Sequence, residues 1–197
     1  ELALRRETST PISIDTLKPE AARAAIAAGA SIWNDVTALR GAGDSLATAA
    51  TLGCEVVLMH MQGEPRTMQA APHYDDVTAE VINFLMERAD AALAAGVARE
   101  RIWLDPGIGF GKSLAHNLTL LQRLPEIVAL GFPVLLGASR KRFIAGLDPS
   151  AASAEDRLGG SLGAALRGAE AGCAAVRVHD ALETRQALEV WAAIRDA

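Results

Sequence analysis

Apolar residues along this chain gather in two kinds of stretch that take turns. Six short runs have strand character, each closed by polar residues or glycine: residues 12–15, 31–36, 55–60, 101–105, 132–137 and 174–179. Between them lie alanine-rich segments in which apolar positions recur with helical period. Pro19 stands near the start of one such segment and Gly29 just past its end. Proline suits a first helical turn, where its missing N–H would be unpaired anyway, and glycine suits the residue that leaves a helix. Gly53, Gly96, Gly131 and Gly172 repeat the stop signal before the next four strands.

The pattern predicts β-α repeated six times, hence a parallel sheet with helices outside it. An open doubly wound sheet and a (β/α)8 TIM-type barrel both fit, and in both the chemistry collects at the C-terminal ends of the strands. Polar residues stand at those ends here: Asp15, Asn34, His60, Asp105, Ser139 with Lys141, and Arg177 with His179. Six such ends suit a ring better than a single crevice. The expectation is therefore one α/β barrel domain over residues 1–197, with six of eight βα units present and two upstream of Glu1. Residues 1–6 read as the tail of a helix.

Composition narrows the class. Half of the 197 residues are apolar, enough to bury a full core, while only 4% are aromatic. A net charge of −5 and a pI near 5.4 argue against a general nucleic-acid binder, though not against a local cluster of cations. No run approaches the roughly 18–20 apolar residues of a membrane span, and no signal peptide is visible. Cys54 and Cys173 are far apart and in no metal-like spacing, so they read as buried free thiols of a cytoplasmic protein.

Each candidate motif has a plainer reading beside the functional one. Alternation sets Ser13 and Asp15 on one strand face and Ile12 and Ile14 on the other, so Asp15 points into a barrel mouth; otherwise it caps the helix at Pro19. Asn34 carries the donor and acceptor needed to read the edge of a heterocycle, or else marks a turn. His60 either lines a pocket or caps its strand. His73 and His116 read as surface or loop histidines. The stretch from Asp105 to Ser113 approaches a P-loop, but Pro106 replaces its first glycine and has no N–H to offer a phosphate. It reads better as a mobile glycine loop beside a buried carboxylate, with Phe110 stacking on a ligand, or simply as a turn with a capping Asp. Ser139, Arg140, Lys141 and Arg142 form a basic loop at a strand end, solvated or ligand-bound. Arg177 and His179 share a strand face, which is costly inside a barrel unless an anion meets them; the alternative is internal pairing with Asp180 or another carboxylate. There is no His-Glu-x-x-His metal spacing and no Gly-x-Ser-x-Gly elbow.

In order, these segments resemble the dihydropteroate synthase family of pterin-binding enzymes. The matching residues are Ser13–Glu20, Asn34-Asp35-Val36, Val57–Gly63 with Pro65–Gln69, Asp105–Lys112 with His116-Asn117-Leu118, Ser139-Arg140-Lys141, and Arg177-Val178-His179-Asp180. The resemblance implies a (β/α)8 barrel that condenses 6-hydroxymethyl-7,8-dihydropterin diphosphate with 4-aminobenzoate, releasing pyrophosphate, at a site where sulfonamides compete. It implies that Asp15, Asn34, Asp105 and Lys141 hold the pterin, and that Arg177 and His179 take the diphosphate. Phe110, Ser139, Arg140, Lys141 and Arg142 would shape the aminobenzoate site. Asp105, Lys141, Arg177 and His179 would carry the catalysis, with no metal ligand among these residues. Magnesium is implied as a cofactor, its main protein ligand lying in the family's first two βα units, and without those units this chain is expected not to turn over. Partners are the two small molecules and a second subunit of a homodimer, with neither nucleic acid nor membrane. Arg142 departs from the small polar residue common in the family. A non-catalytic pterin-binding module and a pterin-dependent methyltransferase domain are the rival readings; the cations at Ser139–Lys141 and Arg177–His179 favour a diphosphate substrate over the latter.

Overall fold

The computed structural model describes residues 7–63 and 67–197. The helix tail expected at residues 1–6, and Pro65 and Arg66 of the stretch after His60, lie outside the described residues. The chain forms two compact units, one of residues 1–61 and 81–105 and the other of residues 62–80 and 106–197.

The first unit holds β1 (Ser13–Asp15), α1 (Pro19–Ala27), β2 (Ile32–Asp35), α2 (Ser45–Leu52), β3 (Glu55–Met59), most of α3 (Val77–Ala94) and β4 (Ile102–Asp105). The four strands are parallel in the order β1-β2-β3-β4. Asp15 is in register with Asn34, and Met59 with Asp105. Strands covered on both faces read as nearly continuous apolar runs, and Trp33, Val56, Leu58, Ile102 and Leu104 are fully buried. Burying each such side chain is worth roughly 1.5–3 kcal/mol. On α3, Val81, Leu85, Ala89 and Ala92 make a fully buried stripe at helical spacing. Pro19 opens α1, as the sequence predicts, and Gly53 ends α2 in the left-handed conformation, φ 59°.

The second unit holds α4 (Leu114–Gln122), α5 (Leu124–Val128), β5 (Leu135–Leu136), α6 (Arg142–Leu147), α7 (Leu158–Ala171), β6 (Ala175–Val176) and α8 (Ala181–Arg195). β5 and β6 pair in parallel, and the ladder extends outward through Ala174 and Ala175 N–H to Val134 C=O and Arg177 N–H to Leu136 C=O. Leu120, Leu124, Ile127 and Leu136 are its buried core. Gly168 lets α7 lie close over this pair: a Cβ there would stand 2.8 Å from the Leu136 side chain and 3.3 Å from that of Val176.

Each of the six expected runs contains a strand. They divide into a four-stranded sheet and a separate pair, and β5 and β6 are shorter than the apolar runs that hold them. Among the described residues no helix is long and apolar enough to cross a membrane.

Candidate active site

In the first unit the polar strand ends sit side by side because parallel pairing sets them there. Asp15 is exposed at the end of β1. It does not cap α1: the N-cap is Lys18, without a side-chain bond, and the Asp15 carboxylate accepts from Asn34 Nδ2 at 3.1 Å. Asn34 is buried within β2, not in a turn, and its Oδ1 has no hydrogen-bond partner among the described residues. A buried acceptor left in that state costs about 1–3 kcal/mol, so the sheet holds a group ready for an outside donor. Asp105 is buried at the end of β4, and its C=O accepts from His60 N–H at 3.0 Å. His60 is buried too, edge-on to Phe84 with ring centroids 5.0 Å apart.

Asp35, directly after Asn34, is fully buried. Its carboxylate accepts from Thr37 N–H and Oγ1 and from Leu39 N–H. Burial raises its pKa against the lowering effect of those bonds. Ala38 and Leu39 both lie in the left-handed region, φ 53° and 60°, and Arg88 from α3 donates to Ala38 C=O at 2.9 Å. Sequence reading missed Asp35 and Arg88 as supports of this loop. The Asp-x-Thr spacing after Asn34 is the signal for the first; nothing local marks the second.

In the second unit the glycine loop is laced, contrary to the mobile loop expected. Lys112 is buried, and its ammonium donates to Gly107 and Phe110 C=O at 2.9 and 3.0 Å. Asn117 accepts from Gly109 N–H at 2.7 Å and donates to Ser113 C=O. The Tyr74 hydroxyl donates to Gly111 C=O. The lysine of a P-loop reaches for phosphate, whereas this one turns inward on its own loop. His116 is half-buried and helical, so of the surface and loop readings the loop one fails: it forms a reciprocal capping box with Ser113 at the start of α4 and meets Tyr74 edge-on.

The basic residues of this unit meet around β5 and β6. Lys141 Nζ stands 4.1 Å from the centroid of the Phe110 ring, a cation–π distance, and its stem passes over Gly109. Arg177 lies over Gly137, where a Cβ would stand 3.1 Å from its guanidinium. Ser139 is buried, and its Oγ accepts from His179 N–H and lies 3.0 Å from His179 Nδ1. Arg140 and Asp180 form a two-pronged ion pair. That guanidinium holds the Asp180 carboxyl below the usual carboxylate range. Arg142 is exposed as the first residue of α6. Among the described residues no group of three or more His, Cys, Asp or Glu could hold a metal ion.

The chain as a whole is similar to known proteins. The chain is 48% identical over 179 residues to the dihydropteroate synthase of Escherichia coli K12, covering 91% of this chain and 62% of that protein. It thus spans less than two thirds of that relative's length. It superposes with a TM-score of 0.92 on the Xanthomonas albilineans dihydropteroate synthase in complex with 7,8-dihydropteroate, at 48% identity over 100% of this chain and 71% of that one. The Yersinia pestis dihydropteroate synthase with a sulfonamide drug gives a TM-score of 0.95 at 38% identity, over 100% and 70% of the two chains. The α/β fold is that of these structures. The sequence pattern of the pterin binding enzymes matches residues 2–179, and the chain belongs to that family.

Proposed function

We propose that the chain provides the pterin- and diphosphate-binding groups of a dihydropteroate synthase, a transferase that joins 6-hydroxymethyl-7,8-dihydropterin diphosphate to 4-aminobenzoate. The observation that carries the reading is the buried, unpartnered Oδ1 of Asn34 beside the Asp15 carboxylate. A 2-amino-pyrimidinone edge offers the N–H donor that this Oδ1 lacks. Asp15, Asn34 and Asp105 are the pterin-reading groups of the first unit. Lys141, with Phe110, serves pterin and aminobenzoate in the second, where Ser139, Arg140 and Arg142 shape the loop around it. Arg177 and His179 receive the diphosphate. The barrel belongs to the same reading: a (β/α)8 ring in a single domain, of which this chain supplies six βα units, working as a homodimer in the cytoplasm.

The chemistry asks for electrostatics and placement. The C–O bond between the pterin methylene and the diphosphate breaks, and its electron pair leaves with the diphosphate, whose charge the cations offset. The electron-rich ring, flanked by carboxylates, stabilises the cationic methylene. The amine nitrogen of 4-aminobenzoate then bonds to that carbon and releases a proton. No side-chain nucleophile is required. Magnesium, when bound, would neutralise diphosphate charge. The described residues present no carboxylate cluster suited to it, so no step is assigned to the ion.

Calorimetry with the pterin diphosphate, the unphosphorylated pterin and pyrophosphate tests the assignment. Asp105→Asn should weaken both pterins and leave pyrophosphate unchanged. Arg177→Ala should weaken only the ligands bearing phosphate. Equal binding across the wild type and both variants would refute it.

A further inference from the structure

We infer that Arg157 and Ser161 are positioning residues for Lys141, acting through the backbone of Arg140. The inference rests on the reading of Lys141 as a ligand-binding residue. Arg140 has φ 55°, a left-handed conformation in which Cβ crowds the following carbonyl. Both peptide groups flanking its Cα are held from α7 and the turn before it. Its N–H donates to Ser161 Oγ at 2.8 Å, and its C=O accepts from Arg157 Nη1 at 2.9 Å. The Ser161 hydroxyl has one proton, which goes to Arg157 C=O at 2.7 Å, so a lone pair is left facing Arg140.

Arg157 and Ser161 are both buried. Each of the three guanidinium nitrogens of Arg157 donates to a backbone carbonyl: Nη1 to Arg140, Nε to Ala151 and Nη2 to Ala152. A buried cation spent on carbonyls fixes chain direction. Lys141 then leaves the reversal in an extended conformation, φ −69° and ψ 150°, as the N-cap of α6. From there it passes over Gly109 to the Phe110 ring. A relaxed Arg140 would send Lys141 elsewhere. The Arg140–Asp180 pair holds the side chain of Arg140 but neither of these two peptide groups.

The chain has three lysines, Lys18, Lys112 and Lys141, so proton NMR can follow the Lys141 ε-methylene once Lys141→Arg has assigned it. The Phe110 ring should shift it upfield, and Phe110→Leu should abolish the shift. Arg157→Met and Ser161→Ala should each lose most of the shift in a protein whose circular dichroism is unchanged. The milder Ser161→Ala keeps the test open if Arg157→Met fails to fold. Adding Arg140→Gly to Ser161→Ala should restore the shift, since glycine takes this conformation without a clamp; a packing role for Ser161 would not be rescued in this way. A shift retained in folded Ser161→Ala, or not restored by Arg140→Gly, overturns the inference. Calorimetry with the pterin diphosphate on the same samples separates the two claims. A wild type that shows the NMR pattern and binds no pterin diphosphate upholds the positioning and refutes the functional reading. A wild type that binds it while Ser161→Ala leaves the shift in place does the reverse.

Discussion

Asp15 and Asn34 stand opposite each other in the β1–β2 ladder, and the Asn34 carboxamide donates to the Asp15 carboxylate at 3.1 Å. The bond uses the donor end of Asn34 and leaves its acceptor end, Oδ1, buried without a partner among the described residues. A fold selected for stability alone would not keep such a group.

Asn34→Leu should therefore separate binding from stability. Loss of the acceptor should weaken pterin binding by about 10- to 100-fold. Unfolding free energy should stay within ~1 kcal/mol of the wild type or rise. Calorimetry and urea denaturation on the same samples check both halves.

The loop after β2 gives a second prediction. Arg88→Met removes the guanidinium from Ala38 C=O and should cost about 1.5–3 kcal/mol. Ala38→Gly, which relieves φ 53°, should return part of that, of order 1 kcal/mol. Chemical denaturation of the two single variants and the double variant measures the coupling.

Lys112 gives a third. Lys112→Met leaves the carbonyls of Gly107 and Phe110 without their charged donor and should destabilise by ~1.5–3 kcal/mol. It should leave the response to ATP at zero, as in the wild type. A calorimetric isotherm for ATP that Lys112→Met removes would revive the P-loop reading.

Two buried or paired carboxyls predict opposite pH trends. Arg140 depresses Asp180, so that pair adds stability above the unfolded carboxyl pKa of about 4, and the contribution is lost as pH falls through the lower folded value. Asp180→Asn should flatten the acid limb of a Tm–pH curve. Burial raises Asp35, so its contribution is present below about pH 4 and is lost as pH rises through the higher folded value. Comparing Asp35→Asn with the wild type across pH 4 to 7 should show their stability difference drifting in the variant's favour as pH rises.

Much of the frame was legible because parallel strands and helix stops leave strong local marks. Gly53 and Gly172 sit at left-handed helix ends as the pattern predicts. Asp15, Asn34 and Asp105 fall at strand ends because two-residue alternation and the closing polar residues fix where each strand stops. What sequence did not reveal depends on contacts between distant residues. Arg157 stands among Glu155, Asp156 and glycines, where a charged residue reads as solvated, yet it is buried on three carbonyls. Arg140 reads as one of three loop cations, while its role is set by Ser161 and Asp180, 21 and 40 positions away. The inward turn of Lys112 is hidden for the same reason: spacing cannot say which way a long side chain faces.

The central claim is that the acceptor end of Asn34 meets the donor edge of a pterin. Proton–nitrogen NMR of the chain with 15N-labelled asparagine, titrated with unphosphorylated 6-hydroxymethyl-7,8-dihydropterin, reads this directly at the Asn34 carboxamide, assigned by Asn34→Asp. The account predicts a saturable shift of that resonance that Asp105→Asn weakens. An Asn34 resonance unmoved at pterin concentrations that saturate the chain by calorimetry would contradict it.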